Sequence, residues 1–467
     1  MYPYLEAGDE IDGLRVLSRI HAGGMALLYR VEGGGTDYPL ILKVPRLGQG
    51  DGAVAVVSYE VERMMLAALS GPHVPRLAAV GDLERLPYLA MEFIDGPSLK
   101  ELAEQAPLPP EKLAKPMAAV ATAVHHLHQQ KLAHLDLKPS NVMFRRNGQA
   151  VLIDLGLAHH AHFPDLLAEE FRKPIGSAPY MAPEQVVGVR CDPRSDIFAV
   201  GAMLYELATG RLPFGAPDSV RGLRRRLYEA PPPPRVVDPA VPPWLQEIIL
   251  HCLEVDADRR YATAAQLAFD LLHPDQVVVG ARGRLTTHDG WLTRLQRRVV
   301  AAGYEPAPCP QMGRRPLVSV VLVGVDTQVR GEQQIEALQQ MVRRTAEDED
   351  QVRIALATVI RPHPLLGSSY VEESGGKTHI RHLVELRHWA RSIGIPEQRL
   401  TYHVLEDDDP AQALLDYARA NRVDHILIGA STPGSGIERG LRPFLGSVAS
   451  RIAQEAPCSV TIVRPEY

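Results

Sequence analysis

The sequence predicts two folds in series. An α+β unit covers residues 1–273, and an α/β unit with a doubly wound parallel sheet covers residues 316–467, with a connector over 274–315 between them. Three observations carry this reading. The first is the polar stretch His134-Leu135-Asp136-Leu137-Lys138-Pro139-Ser140-Asn141, followed by the apolar runs Val142-Met143-Phe144 and Val151-Leu152-Ile153 and then by Asp154-Leu155-Gly156. It reads as loop, strand, turn, strand, acid. The second is a switch at Leu317 to alternating strands and helices, the pattern of a parallel sheet covered on both faces. The third is the Pro-rich texture of Glu305 to Pro316, which suits a connector.

Composition bounds the function. A chain of 467 residues is too long for one ordinary domain. With 45% hydrophobic and 23% charged residues it reads as soluble and globular. A net charge of −6 gives no reason to expect nucleic acid or an anionic membrane as partner. Cys191, Cys252, Cys309 and Cys458 are widely spaced, with neither a disulfide framework nor a metal-ligand pattern, so reduced thiols and a cytoplasmic location are expected. No signal peptide opens the chain. The longest apolar run, Leu317 to Val325, is strand-sized, so no membrane span is expected.

The chemistry of the loop follows from its residue types. Asp136 offers a carboxylate suited to take a proton from an attacking hydroxyl. In an extended loop Lys138, two residues on, faces the same side and can meet a transferring phosphoryl group. Asn141 and Asp154 are oxygen donors of the kind Mg²⁺ prefers. A base, a cation and two metal ligands make a phosphoryl-transfer site.

Over residues 8–273 the chain resembles the bacterial serine/threonine protein kinases, and the motifs fall in the family's order. The resemblance implies a bilobal kinase fold, with an amino-terminal lobe over about 1–94 and a carboxy-terminal lobe over about 95–273. It implies ATP and Mg²⁺ as cofactors, a protein substrate with a Ser or Thr acceptor, and Asp136 and Lys138 as catalytic residues.

Taken in order, Leu14 to Val31 holds His21-Ala22-Gly23-Gly24-Met25-Ala26-Leu27-Leu28-Tyr29, aligned with the family's glycine-rich loop. The resemblance places Gly23, Gly24 and Leu28 over the nucleotide. His21 and Ala26 stand where glycines are usual. Leu40 to Val44 is strand-like, and Lys43 falls where the family holds the α- and β-phosphates. Ile41 replaces the usual small residue under the adenine. Ser58 to Leu69 has a helical period, and Glu62 is the expected partner of Lys43, with Glu60 the alternative. Tyr88 to Ile94 is a strand, with Met91 flanking the base and the backbone of Glu92, Phe93 and Ile94 reading it.

Leu113 to Gln130 is a helix whose His125, His126 and His128 are expected to be satisfied or exposed rather than metal ligands. Leu135 stands where the family often has the Arg that receives an activation-loop phosphate, and Leu155 to Ile175 contains no Ser, Thr or Tyr. Both absences imply activity independent of phosphorylation there, with Glu169 and Glu170, and Arg172 or Lys173, as fixed charges instead. Gly176 to Glu184 resembles the segment that seats a Ser/Thr substrate, with Ser177 able to bond Asp136 and Lys138. Glu184 expects Arg260 as a buried partner, and Asp196 should accept backbone N–H groups of the catalytic loop. Pro231 to Pro234 is a spacer. In the connector, Val277 to Val279 suggests a strand and Gly290 to Val300 a short helix, with Arg294, Arg297 and Arg298 on a solvated face.

The second unit alternates strongly. Strands are expected at Leu317–Val325, Val352–Ile360, Leu400–Leu405, His425–Gly429 and Ser459–Val463. Helices are expected at Gln333–Thr345, His379–Ile393, Ala411–Asn421 and Gly446–Gln454. His425-Ile426-Leu427-Ile428-Gly429, Gly436, Gly446-Ser447 and the final Ala456 to Val463 resemble the universal stress protein family. Its ATP-binding members imply a second nucleotide contacted by Asp326, Gly436, Gly446 and Ser447, although Ala430 to Ser435 stretches the glycine motif. The family also implies a homodimer through this domain. The leading expectation is a Ser/Thr kinase in stress or nucleotide-linked signalling with a regulatory second domain. The alternative is a pseudokinase scaffold or nucleotide-sensing switch, suggested by His21, Ala26 and Ile41. A small-molecule kinase is disfavoured by Gly176 to Glu184.

Overall fold

A computed structural model of the chain describes residues 5–24, 26–46, 52–81, 85–171, 174–287, 304–307, 309, 320–327, 332–348, 352–360, 371–396, 399–421, 423–430 and 447–464. The first sheet is antiparallel, in the order β1 (Glu10–Ile11), β2 (Leu14–Ala22), β3 (Ala26–Gly33), β4 (Leu40–Pro45), β6 (Leu89–Glu92), β5 (Leu77–Val80). Alternation builds its core. Leu40, Leu42 and Val44 point into a cluster with Leu14, Val16, Tyr29 and Tyr88, while Ile41 and Lys43 take the opposite face. Helix α1 (Gly52–Ala68) covers that opposite face.

The helical lobe follows: α2 (Leu99–Ala103), α3 (Pro110–Gln129), α4 (Leu166–Glu170), α5 (Pro183–Val186), α6 (Arg194–Thr209), α7 (Val220–Leu223), α8 (Pro234–Val237), α9 (Pro243–Cys252), α10 (Ala264–Leu272) and α11 (Ala281–Arg284). Its core is α3 against α6 and α10, with Met117, Val120, Val124, Phe198, Met203 and Leu267 buried. Two short ribbons lie on this core, β8 (Val142–Phe144) with β9 (Ala150–Leu152), and β7 (Leu132–Ala133) with β10 (His159–His160).

The second sheet is parallel throughout, in the order β13 (Leu400–Glu406), β12 (Arg353–Ile360), β11 (Val320–Gly324), β14 (His425–Gly429), β15 (Ser459–Val463). Period-two alternation divides its side chains between two faces. Val321, Val323, Ile354 and Leu356 pack under α12 (Glu332–Asp348) and α13 (Val371–Arg391), with Leu338, Val342 and Leu386. Leu322, Ala355, Ile426 and Ile428 pack under α14 (Pro410–Ala420) and α15 (Ser447–Glu455), with Leu414, Leu415 and Ile452. Helix α13 also lies against α1, so the apolar core of the helical lobe runs on into the second unit.

Two expectations are corrected. Val277 to Val279 forms no strand. Val278 is 87% exposed, and the chain beyond it is held to α9 because Gly280 and Gly283 N–H donate to Glu247 at 2.9 and 2.7 Å. A β-prone run without a neighbouring strand edge has nothing to pair with. Cys191 and Cys309 form a disulfide with Cα atoms 5.8 Å apart, whereas reduced thiols were expected. Their 118-residue separation hid a proximity that only the fold creates. His128 is a satisfied histidine, bonded to the Asp196 carboxylate of α6 at 2.9 Å. Gly290 to Val300, its three arginines, Arg172, Lys173 and Met25 lie outside the described residues. Among the described residues no helix is long and apolar enough to cross a membrane.

Candidate active site

Lys43 leaves β4 on the face turned to α1, and its ammonium lies between two carboxylates. Nζ donates to Glu62 Oε2 at 2.6 Å and to Asp154 Oδ1 at 2.7 Å. Burial alone would pull this ammonium down, but Asp154 and Glu62 outweigh it and hold Lys43 above its ordinary value. Asp154 is held below the usual carboxylate range chiefly by Lys43. Burial pushes Glu62 up, against the pull of Lys43. Glu60, the alternative partner, points elsewhere: Arg63 and Arg387 bond its Oε2.

The catalytic-loop candidates assemble through main-chain geometry. Lys138 is extended, at φ −153° and ψ 163°, and a tight turn over Pro139–Asn141 follows. Lys138 Nζ donates to Asp136 Oδ2 at 3.0 Å. Asn141 Nδ2 donates to the Asp136 carbonyl at 2.9 Å, which leaves its side-chain oxygen turned from that bond. Asp136 Oδ1 accepts the backbone N–H of Ser177 at 2.7 Å. The hydroxyl of Ser177, expected to make that bond, bonds neither Asp136 nor Lys138 among the described residues. Gly176 just before it has φ +140°, a conformation that side chains rarely allow.

Two non-glycine residues here are in the left-handed region: Leu135 at φ 63° and Asp154 at φ 65°. Such strain persists only where the surroundings over-determine it. Asp196, almost fully buried, accepts the N–H groups of His134 and Leu135 at 2.8 Å each. Gln185 donates to the Leu135 carbonyl at 2.8 Å, and its own side-chain oxygen accepts Ala182 N–H at 2.9 Å. Sequence reasoning found Asp196 and missed Gln185. Its signal was modest: a Gln three residues after Ala182, at the start of a Pro-led helix, is placed to cap it.

Behind this segment Arg260, fully buried, grips Glu184 through its two terminal nitrogens at 2.7 and 2.8 Å, and Ser195 adds its hydroxyl at 2.6 Å. Arg226, also buried and unanticipated, donates to the carbonyls of Met181 and Ala178.

At the rim, Gly23 N–H donates to Ala26 O at 3.0 Å, and Arg46 donates to the Gly23 carbonyl at 3.0 Å. Gly24 is exposed, and Leu28 pairs with Lys43 across the β3–β4 register. The carboxylate of Glu92 is engaged by Arg145 at 2.5 and 3.0 Å and by Arg76 at 3.3 Å. The N–H of Glu92 is engaged as well, donating to the Arg76 carbonyl at 2.9 Å. Ile94 is buried next to it.

In the second unit Asp326 is exposed just past the carboxyl end of β11. There the strand order reverses between β11 and β14, which is where doubly wound sheets bind ligands. Thr327 beside it is hydrogen-bonded to His382 at 2.7 Å. Ser447 opens α15, and Gly436 and Gly446 lie outside the described residues.

The chain was compared with known proteins. The family model described as protein kinase domain matches residues 22–271, and that of the universal stress protein family matches residues 318–464. Serine/threonine-protein kinase PrkC of Bacillus subtilis is 29% identical over 266 residues, covering 56% of this chain and 41% of that protein. Serine/threonine-protein kinase PknB of Mycolicibacterium smegmatis is 30% identical over 268 residues, covering 56% of this chain and 42% of that protein. The chain thus spans less than half the length of these relatives. Among solved structures, the kinase domain of Mycobacterium tuberculosis PknI is similar at 22% identity and a TM-score of 0.45, covering 58% of this chain and all of that one.

Proposed function

We propose, from the premise that this chain belongs to the protein kinase family, that it transfers the γ-phosphoryl group of ATP to Ser or Thr side chains of a protein substrate. The single observation that carries this reading is the closed set Glu62–Lys43–Asp154, facing Asp136–Lys138–Asn141. A lysine fixed between two carboxylates is preorganised to take phosphate oxygens without rearranging. Asp136, buried and oriented by Ser177 N–H, Lys138 and Asn141, is the base that takes the acceptor hydroxyl's proton. Lys138, 30% exposed, is the cation that meets the transferring group.

The donor set suits Mg²⁺. Asp154 spends one oxygen on Lys43 and Asn141 spends its amide nitrogen on Asp136, so each retains a hard oxygen donor. Bound there, the ion would neutralise phosphate charge. Gly23, Gly24 and Leu28 would cover the nucleotide, and the main chain of Glu92 and Ile94 would read its base.

In this reading residues 1–273 are the catalytic unit, 274–315 the linker and 316–467 a regulatory unit of stress or nucleotide-linked signalling. A second nucleotide would sit at Asp326 and Ser447. A cytoplasmic location belongs to this reading through its use of ATP, although the Cys191–Cys309 disulfide removes the reduced-thiol argument for it. The test is phosphate incorporation from Mg²⁺-ATP into a generic basic protein and into the chain itself, comparing wild type with Asp154→Asn. Incorporation that disappears in the variant supports the reading. Equal incorporation in both, or none in the wild type, rejects it.

A further inference from the structure

We propose that the second unit positions α1, and through it the Lys43–Glu62 pair, with Arg387 on α13 as the positioning residue. This rests on the phosphotransfer reading of that pair. Glu60 and Glu62 are two residues apart on one helix, so they point about 200° apart. Glu62 faces Lys43 at 2.6 Å, and Glu60 faces the other way, where Arg387 Nη2 donates to its Oε2 at 2.5 Å. The helix is therefore held from two nearly opposite sides, one by the catalytic lysine and one by the second unit.

The surroundings make this contact more than a surface ion pair. Glu60 is 7% exposed, and the Arg387 side chain 19%. The guanidinium lies 5.2 Å from the ring centroid of Tyr402 on β13. Arg63, one turn along, donates to the same Glu60 oxygen at 3.2 Å. Low exposure limits screening, so such a pair constrains geometry more than an exposed one does. The charged groups at the contact are Arg63, Glu60 and Arg387, and no other charged partner of Glu60 occurs among the described residues.

A second tie reaches the activation segment. Val404 N–H on β13 donates to Glu170 Oε1 of α4 at 3.4 Å, and α4 itself packs on α1. Gly156 lies against α1 so closely that a side chain there would stand 3.2 Å from the Ser58 carbonyl. The chain lacks both the Arg before Asp136 and any hydroxyl from Leu155 to Ile175. An internal domain that grips α1 and Glu170 takes the ordering role that a phosphate would otherwise serve.

The test uses the full chain as wild type, Arg387→Glu, Glu60→Arg and the double reversal. Amide hydrogen exchange of α1 is measured alongside the kcat of phosphotransfer and the KM for ATP. Each single reversal places like charges together and should speed exchange in α1 about tenfold and lower kcat by a similar factor. The double reversal should restore both. Unchanged α1 exchange in the single variants would overturn the proposal. So would losses spread over both sheets, or losses that the double reversal leaves in place. The exchange readout needs no turnover, so a wild type without phosphotransfer defeats the functional reading while leaving this test intact.

Discussion

Replacing Arg260 with Met should unfold the helical lobe far more easily than its chemistry at the site would suggest. The guanidinium is inaccessible and donates to Glu184 twice, to the Arg194 carbonyl at 3.0 Å and to the Glu254 carbonyl at 2.8 Å. Methionine fills much of the volume but strips the Glu184 carboxylate of its cation, leaving it the Ser195 hydroxyl and a backbone N–H. Leaving one charge of a buried pair unpartnered costs about 3–5 kcal/mol. Calorimetric unfolding should show the lobe's transition fall by about 10 °C, at roughly 2–4 °C per kcal/mol for a domain of this size.

The pH dependence gives an independent check. Burial pushes Glu184 up, but Arg260 and Ser195 pull it further, so the net is below the usual carboxylate range. A carboxyl depressed in the folded state stabilises fully above its unfolded value, about 4, and that stability is lost as pH falls through the folded one. The wild type should therefore hold its transition from pH 7 to about 5 and lose stability below. In Arg260→Met the sign reverses: the stranded carboxyl titrates high, and acidification relieves it. A change under about 1 kcal/mol at pH 7, or the same acid profile in both proteins, would refute the reasoning.

Three further outcomes are expected. Ser177→Ala should keep phosphotransfer within about threefold of wild type, because the backbone N–H holds Asp136 and no hydroxyl bond to it is lost; a hundredfold loss in kcat would return the role to the hydroxyl. Asp196→Asn should lower stability by about 1–3 kcal/mol, since the N–H groups of His134 and Leu135 go to different carboxylate oxygens and one of them would then face the donor NH2 of the amide, beside the strained Leu135; urea titration measures it, and no change would sink the account. Peptide mapping without reductant should recover Cys191 linked to Cys309, while Cys252, buried and with its thiol pushed up, resists alkylation in the folded chain; free Cys309 would contradict the fold near the connector.

The sequence by itself determined the chemistry of the site and nearly all the elements that carry it. Asp136, Lys138 and Asn141 lie within one loop, and Asp154 follows a single hairpin later, so their grouping needed only local backbone geometry. The parallel sheet was equally legible, because apolar strands bounded by amphipathic helices fix both period and partner type. The alternation that sends Lys43 away from Leu42 is a property of the strand alone.

Only the tertiary structure decided which distant groups meet. Periodicity put Glu60 and Glu62 on one helix but could not choose between them, since the choice depends on the rotation of α1 against β4. It left Val277 to Val279 looking like a strand, because no local signal reveals the missing strand edge or the Glu247 carboxylate that holds the next turn. The Cys191–Cys309 disulfide, the Asp196–His128 contact and the grip of Arg387 on Glu60 join residues 118, 68 and 327 positions apart. Such pairs carry no trace in local propensity, because their energy exists only once packing has excluded water and brought both groups to one place.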